Sequence, residues 1–276
     1  MRTLYVTDLD GTLLGRDGRV SERTLRAMDA LWAHGVCISP VTSRSYSAIE
    51  VLRGARFCAP WCLLGGARLY DAQARRVLSE QTYDVRDAVF ILDAMKARGL
   101  TPFLYAQDEN DEQRVYYERD SDAAALEFIA RQRAKGDGRF RQVESFSEKM
   151  GEKLFIVTVR GEESVLRELR DGFLRRGLHA YLYHAVRLSG ACSLETAAVS
   201  KRAGVQKLRA LTGAERVVAF GDNGNDVGMF EAADERVAVD NATQELRALA
   251  DRVIGPHDQD SVAREICKME GIEWKF

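Results

Sequence analysis

Asp8-Leu9-Asp10-Gly11-Thr12-Leu13-Leu14 follows directly on Thr3–Thr7, a short apolar, β-prone run that reads as a strand. Alternate residues of an extended chain share a face, so two carboxylates two apart at a strand's end project together. The carboxyl end of a strand in an open α/β sheet is where such folds hold their ligands. Gly11 lets the backbone approach one closely.

Working outward, Ser21 is placed to cap a helix in which Leu25, Met28, Leu31 and Trp32 recur at helical spacing, with Gly35 as the stop. Residues 36–41 form a second buried-type strand, 45–52 a short helix and 61–64 a third strand. The far end repeats this grammar. A helix over 201–211 precedes an apolar strand at 217–220, then come a helix at 227–233, short strands at 237–239 and 253–254, a helix from Thr243 to 249 and another at 261–269. Strands alternating with helices imply βαβ units and a parallel sheet. The middle is denser in charge. Helices at 85–98, 121–135 and 163–176 separate strands at 101–105, 114–118, 154–159 and 180–183. The chain therefore reads as α/β, a Rossmann-like doubly wound parallel sheet core over 1–83 and 190–276, with an α+β cap domain inserted at 84–189 and joints near Asp84 and Gly190.

The second carboxylate constellation is Gly221-Asp222-Asn223-Gly224-Asn225-Asp226, again after an apolar strand. Asp and Asn supply the oxygen ligands that Mg²⁺ prefers. Thr42-Ser43-Arg44, behind the second strand, offers hydroxyls and backbone amides suited to a phosphate oxygen. Lys201, opening a helix, offers a point charge to the same group.

Composition limits the partners. The chain has 276 residues, 46% hydrophobic and 30% charged, with 40 Lys+Arg against 42 Asp+Glu and a net charge of -2. That near-balance argues against an electrostatic nucleic-acid binder. The basic cluster Arg131, Arg133, Lys135, Arg139 and Arg141 reads as a solvated helix and loop. No apolar run reaches the ~20 residues that span a bilayer, and the first residues reach a carboxylate too soon for a signal peptide. The expectation is a soluble, cytoplasmic protein, a monomer or weak homo-oligomer. The five scattered cysteines read as reduced thiols.

With these four pieces in order, the sequence resembles the haloacid dehalogenase (HAD) superfamily of phosphohydrolases, and within it the Cof-type branch (subfamily IIB), whose large cap follows the third core strand. Asp8 to Leu14 matches its DxDGTLL. Thr42-Ser43-Arg44 matches its Thr-Gly-Arg, with Ser43 in place of Gly. Lys201 falls in its Ser-Lys stretch, and Gly221 to Asp226 matches GDxxND. Gly65-Gly66-Ala67 stands where the branch often has Asn-Gly-Ala, which removes one amide from the pocket edge.

The resemblance implies Mg²⁺ held by Asp8, the Asp10 carbonyl and Asp222. Asp8 would be a nucleophile that forms an aspartyl-phosphate, and Asp10 the general acid and then base. Thr42, Ser43, Lys201 and Asn225 would bind the phosphoryl group, with Gly11, Arg44 and Asp226 in support. A retained Asp10 favours phosphate esters over carbon–halogen cleavage, since a halide needs no acid. The cap should close over the site, with Arg114, Tyr116, Tyr117, Glu148, Lys149 and Lys153 as candidates for its inner face. The branch's substrates imply that the partner is a small phosphorylated metabolite, a sugar phosphate or a related monoester. A sugar phosphomutase, or a non-catalytic phospholigand binder, are the alternatives on the same fold.

Overall fold

Thr3–Thr7 is a strand because four of its five side chains are buried on both faces of a sheet, as a central parallel strand requires. In the computed structural model, which describes residues 2–52, 54–110, 112–134, 136–184 and 192–276 (the side chains of Ser47 and His184 excepted), it lies between two parallel neighbours. The sheet order is Arg252–Ile254, Glu235–Val239, Arg216–Gly221, Thr3–Thr7, Cys37–Pro40. The register sets Thr7 opposite both Phe220 and Pro40. Three strands thus end level, and the residues that follow them are brought to one rim.

The helices behave as amphipathic covers, with small departures from expectation. Glu22–Ala33 is capped by Ser21, whose side chain accepts from the Thr24 amide at 3.0 Å. Its buried stripe is Thr24, Ala27, Met28 and Leu31. Of the residues that recur at helical spacing, Met28 and Leu31 are buried, Leu25 is half-buried and Trp32 is exposed. The helix expected over 45–52 is instead two single turns, Tyr46–Ala48 and Glu50–Leu52. The third strand, Trp61–Leu63, touches the main sheet through a parallel bridge between Val41 and Cys62, and pairs antiparallel with the hairpin Arg68–Asp71 and Arg76–Glu80. That hairpin was not expected. Charges at both its ends (Arg68, Asp71, Arg76, Glu80) hide it, yet Arg68 is buried and pairs with Glu80.

The chain divides into two units, Met1–Glu80 with Val199–Phe276, and Gln81–Ala198. The second is built on a six-stranded sheet ordered His179–His184, Cys192–Ala197, Lys153–Gly161, Phe103–Gln107, Gln113–Glu118, Phe140–Val143. Its last pair is parallel and the others antiparallel. Ile91, Met95, Leu104, Tyr116, Leu166 and Phe173 share one core, fed by the helices Val85–Lys96 and Glu163–Arg175. Phe103, Val115, Tyr117, Ile129 and Phe140 form another with the helix Ala123–Ala134. The joint expected near Gly190 lies outside the described residues. The strand Cys192–Ala197, placed by that boundary in the other domain, belongs here because it pairs with Lys153–Gly161. Among the described residues no helix is long and apolar enough to cross a membrane.

Candidate active site

Beyond Thr7 the chain leaves the sheet through an irregular wide turn at Leu9–Leu13, closed by Leu14 N donating to Leu9 O at 2.9 Å. Asp8 N donates to Phe220 O at 3.0 Å, which fixes Asp8 beside the strand carrying the second motif. Gly11 has φ 77, and a Cβ there would overlap the Asp222 carboxyl. Only glycine allows this approach. Thr12 Oγ1 donates to Asp222 Oδ1 at 2.9 Å, and Asn241 Nδ2 donates to Gly11 O at 2.8 Å.

The second motif is held by a capping box. Asn223 Oδ1 accepts from Gly224 N at 2.8 Å, while Asp226 Oδ2 accepts from Asn223 N at 3.1 Å and Asp222 N at 2.9 Å. This is what the spacing of Asn223 and Asp226 encodes. The other Asp226 oxygen meets Lys201 Nζ at 2.7 Å, and Lys201 Nζ also reaches Asp8 Oδ1 at 2.7 Å. Lys201 is 1% exposed although it opens the helix Lys201–Thr212. The Gly65–Gly66 turn is pressed against that helix start. Gly66 has φ 109, and a Cβ there would overlap the Ser200 carbonyl. The stretch that lacks the branch's Asn therefore braces the lysine.

Electrostatics follow from burial. Asp8 is pushed up to about 7, by desolvation first, which the Lys201 charge only partly offsets; Asp226 and Asp10 push it further. Asp222 is pushed up to about 8 by desolvation and then by Asp226 and Asp8. Burial would lower Lys201, but Asp226 and Asp8 outweigh it, and its ammonium is held above the ordinary lysine value. Oxygens of Asp8, Asp222 and Asp226 lie within 4.8 Å of one another. Three carboxylates against one ammonium leave excess negative charge in a buried place. Both Asp226 oxygens already have donors, whereas Asp8 and Asp222 each keep one oxygen without a protein donor among the described residues. Hard oxygen donors with uncompensated charge suit a divalent cation. The clustered carboxylates are Asp8, Asp222 and Asp226; the expected metal set was Asp8 and Asp222 with the backbone carbonyl of Asp10, and Asp226 in support.

The Asp10 side chain stands apart from this cluster. It is 58% exposed and gripped by Arg44, with Nε to Oδ2 at 2.7 Å and Nη2 to Oδ1 at 2.6 Å. Arg44 Nη1 also donates to Ala48 O at 2.9 Å. Thr42 is buried and its Oγ1 accepts from Arg44 N at 3.1 Å. Asn225 Nδ2 donates to Ser43 Oγ at 3.4 Å, and buried Asn225 Oδ1 has no partner among the described residues. The structure therefore brings together Asp8, Lys201, Asp222 and Asp226, and separately Ser43 with Asn225 and Asp10 with Arg44. Thr12 and Asn241 were missed. Asn241 lies two residues beyond Glu235–Val239, as Asp222 lies one beyond Arg216–Gly221, and that place just past a parallel strand was the available signal.

In the second unit, Tyr116 and Tyr117 are spent in the two cores rather than offered on an open face. Arg114 pairs with Asp108 at 3.1 Å, Lys149 with Glu152 at 3.3 Å, and Glu148 accepts from Ser145 N at 3.1 Å. Lys153 opens the strand Lys153–Gly161. Of the basic cluster, Arg131 pairs with Glu127, Arg139 with Asp137, while Arg133 and Arg141 bond Phe140 O. Lys135 lies outside the described residues.

Known proteins share this architecture. A model of the haloacid dehalogenase-like hydrolase family matches residues 5–266, and the chain belongs to that family. It is a phosphatase of the HAD type, a phosphoric monoester hydrolase. It is 28% identical over 270 residues to the pyridoxal phosphate phosphatase YbhA of Escherichia coli (strain K12), covering 94% of this chain and 95% of the relative. It is 26% identical over 273 residues to the 5-amino-6-(5-phospho-D-ribitylamino)uracil phosphatase YitU of Bacillus subtilis (strain 168), covering 95% of each. Among solved structures, the HAD phosphatase BT1666 from Bacteroides thetaiotaomicron superposes with a TM-score of 0.79 at 20% identity, over 99% of this chain and 96% of that one. The HAD subclass IIB sugar phosphatase BT4131 gives 0.78 at 19%, over 99% and 100%. The fold is theirs, a parallel α/β core with separate inserted sheets forming the cap.

Proposed function

We propose that the enzyme hydrolyses small phosphomonoesters, sugar phosphates foremost, in two displacements through an aspartyl-phosphate on Asp8. The observation that carries this reading is the Asp8–Lys201–Asp226 chain of 2.7 Å contacts at the end of the central strand, with Asp222 alongside. Lys201 fixes one Asp8 oxygen and leaves the other to attack phosphorus. The transferring group spreads charge over its equatorial oxygens, so fixed donors dominate its stabilisation. Lys201, Thr42, Ser43 and the Asn225 Nδ2 are those donors.

Asp10 protonates the leaving oxygen after Arg44 releases it, and then takes a proton from the attacking water. Asp8 and Asp222 would hold Mg²⁺, which when bound offsets the repulsion between a carboxylate and a phosphate dianion. The relatives act on pyridoxal phosphate and on a phosphoribityl compound, and a sugar phosphatase shares the fold. Sugar phosphates and pyridoxal phosphate are therefore the first substrates to try.

Phosphate release from p-nitrophenyl phosphate and from a sugar-phosphate panel with Mg²⁺ tests the reading. It predicts turnover abolished by EDTA and by Asp8→Asn. Interconversion of phosphate positions with little free phosphate would make the enzyme a mutase instead. Stoichiometric binding without turnover would reduce it to a phospholigand binder.

A further inference from the structure

The first unit holds a cavity of about 560 Å³ that the proposed chemistry does not use. It is lined by Trp32, Tyr46, Phe57, Trp61 and Tyr70, an unusual concentration in a chain with three tryptophans. Tyr46 and Tyr70 lie 4.6 Å apart, and Phe57 meets Trp61 edge-on at 5.8 Å. Trp32 and Tyr46 are 41% and 43% exposed. Large rings left half in water at the rim of a concave site are a cost to the isolated protein that a ligand would remove.

The polar groups narrow the ligand's chemistry. Trp61 Nε1 is shielded from solvent and has no acceptor among the described residues. The Arg56 guanidinium stacks over the Trp32 ring at 4.8 Å, which extends the aromatic wall with a flat cation. Rings and a planar cation favour a flat π-system. The volume matches a bicyclic or tricyclic ring system.

One wall is mechanically tied to the catalytic side. Tyr46–Ala48 forms a single turn, and Ala48 O accepts from the same Arg44 guanidinium that grips Asp10. We propose that this cavity is a second small-molecule site, taking a planar aromatic ring system, and that its occupancy is felt at Asp10 through Ala48 and Arg44. The coupling rests on Asp10 acting in turnover; the binding does not.

The test uses the full chain with adenosine and riboflavin as probes. Binding is followed by ligand-observed NMR and by tryptophan fluorescence, since two of the three tryptophans line the cavity. The proposal predicts saturable binding of at least one probe, unchanged by excess inorganic phosphate. It predicts at least tenfold weaker binding in Trp32→Ala and in Tyr46→Ala, two exposed positions whose folding is checked by circular dichroism. The bound probe shifts kcat for p-nitrophenyl phosphate at least twofold in the wild type and not in Trp32→Ala. No saturable binding, displacement by phosphate, undiminished binding in both folded variants, or binding without a change in kcat would each overturn it. If Asp10→Asn retains full turnover, the acid assignment fails separately from the binding.

Discussion

Asp8 and Asp10 are separated by one residue and sit in opposite environments. Asp8 is buried, fixed by a lysine that is itself buried, and crowded by Asp222 and Asp226. Asp10 is exposed and held by one arginine. A pair that faces water is worth only ~0–1 kcal/mol, whereas removing one partner of a buried pair costs ~3–5 kcal/mol. The contrast fits a division of labour. A nucleophile has to be aimed before substrate arrives, while an acid and base has to let go of one partner and serve another.

Four measurements probe that contrast, the largest effect first. Asp8→Asn should lower kcat for p-nitrophenyl phosphate by ~10⁴-fold or more, as for loss of a covalent nucleophile. A smaller loss than in Asp10→Asn would invert the two roles. Asp10→Asn should cost ~10²–10⁴-fold, and less for p-nitrophenyl phosphate, whose leaving group needs little protonation, than for a sugar phosphate. Equal losses on both substrates would argue against an acid.

Arg44→Lys breaks the two-pronged grip but keeps the charge, and a loss in kcat of up to about fivefold is expected from at most ~1 kcal/mol of lost positioning. A kcat within error of wild type would show the Arg44–Asp10 pair to be a surface contact only.

The smallest effect is on stability. Without a metal, Asp8 and Asp222 are pushed up to about 7 and about 8, so the folded chain keeps protons that the unfolded chain loses above about pH 4. The folded state then binds more protons than the unfolded one, and metal-free stability falls as pH rises through this window. A divalent cation keeps both carboxylates ionised, so the rise in Tm on adding MgCl2 should be larger at pH 8 than at pH 5. A rise that is equal at both, or larger at pH 5, would contradict this account of the cluster.

The parts of this picture that sequence made legible are those encoded locally. Thr3–Thr7 is found where expected because burial on both faces demands an unbroken apolar run. The Asn223 and Asp226 spacing writes its own capping box. Lys201 is different. At the head of a helix it reads as a point charge for a phosphate, and only contacts 193 and 25 residues away make it a buried bridge between two carboxylates. The Arg44–Asp10 pair is likewise a contact across 34 residues.

The second unit's sheet was harder to read for another reason. Phe140–Val143 exposes Arg141 and Gln142, and Cys192–Ala197 leaves Ser193 and Glu195 half-buried, so neither shows an apolar run. Tyr116 and Tyr117 looked like a recognition edge because successive strand residues face opposite ways, and here both faces carry a core.

The central claim is that Asp8 itself carries the phosphoryl group. Acid quenching of the enzyme during turnover of a slow phosphomonoester, followed by proteolysis and mass spectrometry, tests this directly. The account predicts one hydroxylamine-labile phosphoryl group on the peptide containing Asp8, enriched in Asp10→Asn, where the second displacement lacks its base. Sustained turnover with that peptide unmodified, or the phosphoryl group on another residue, would contradict it.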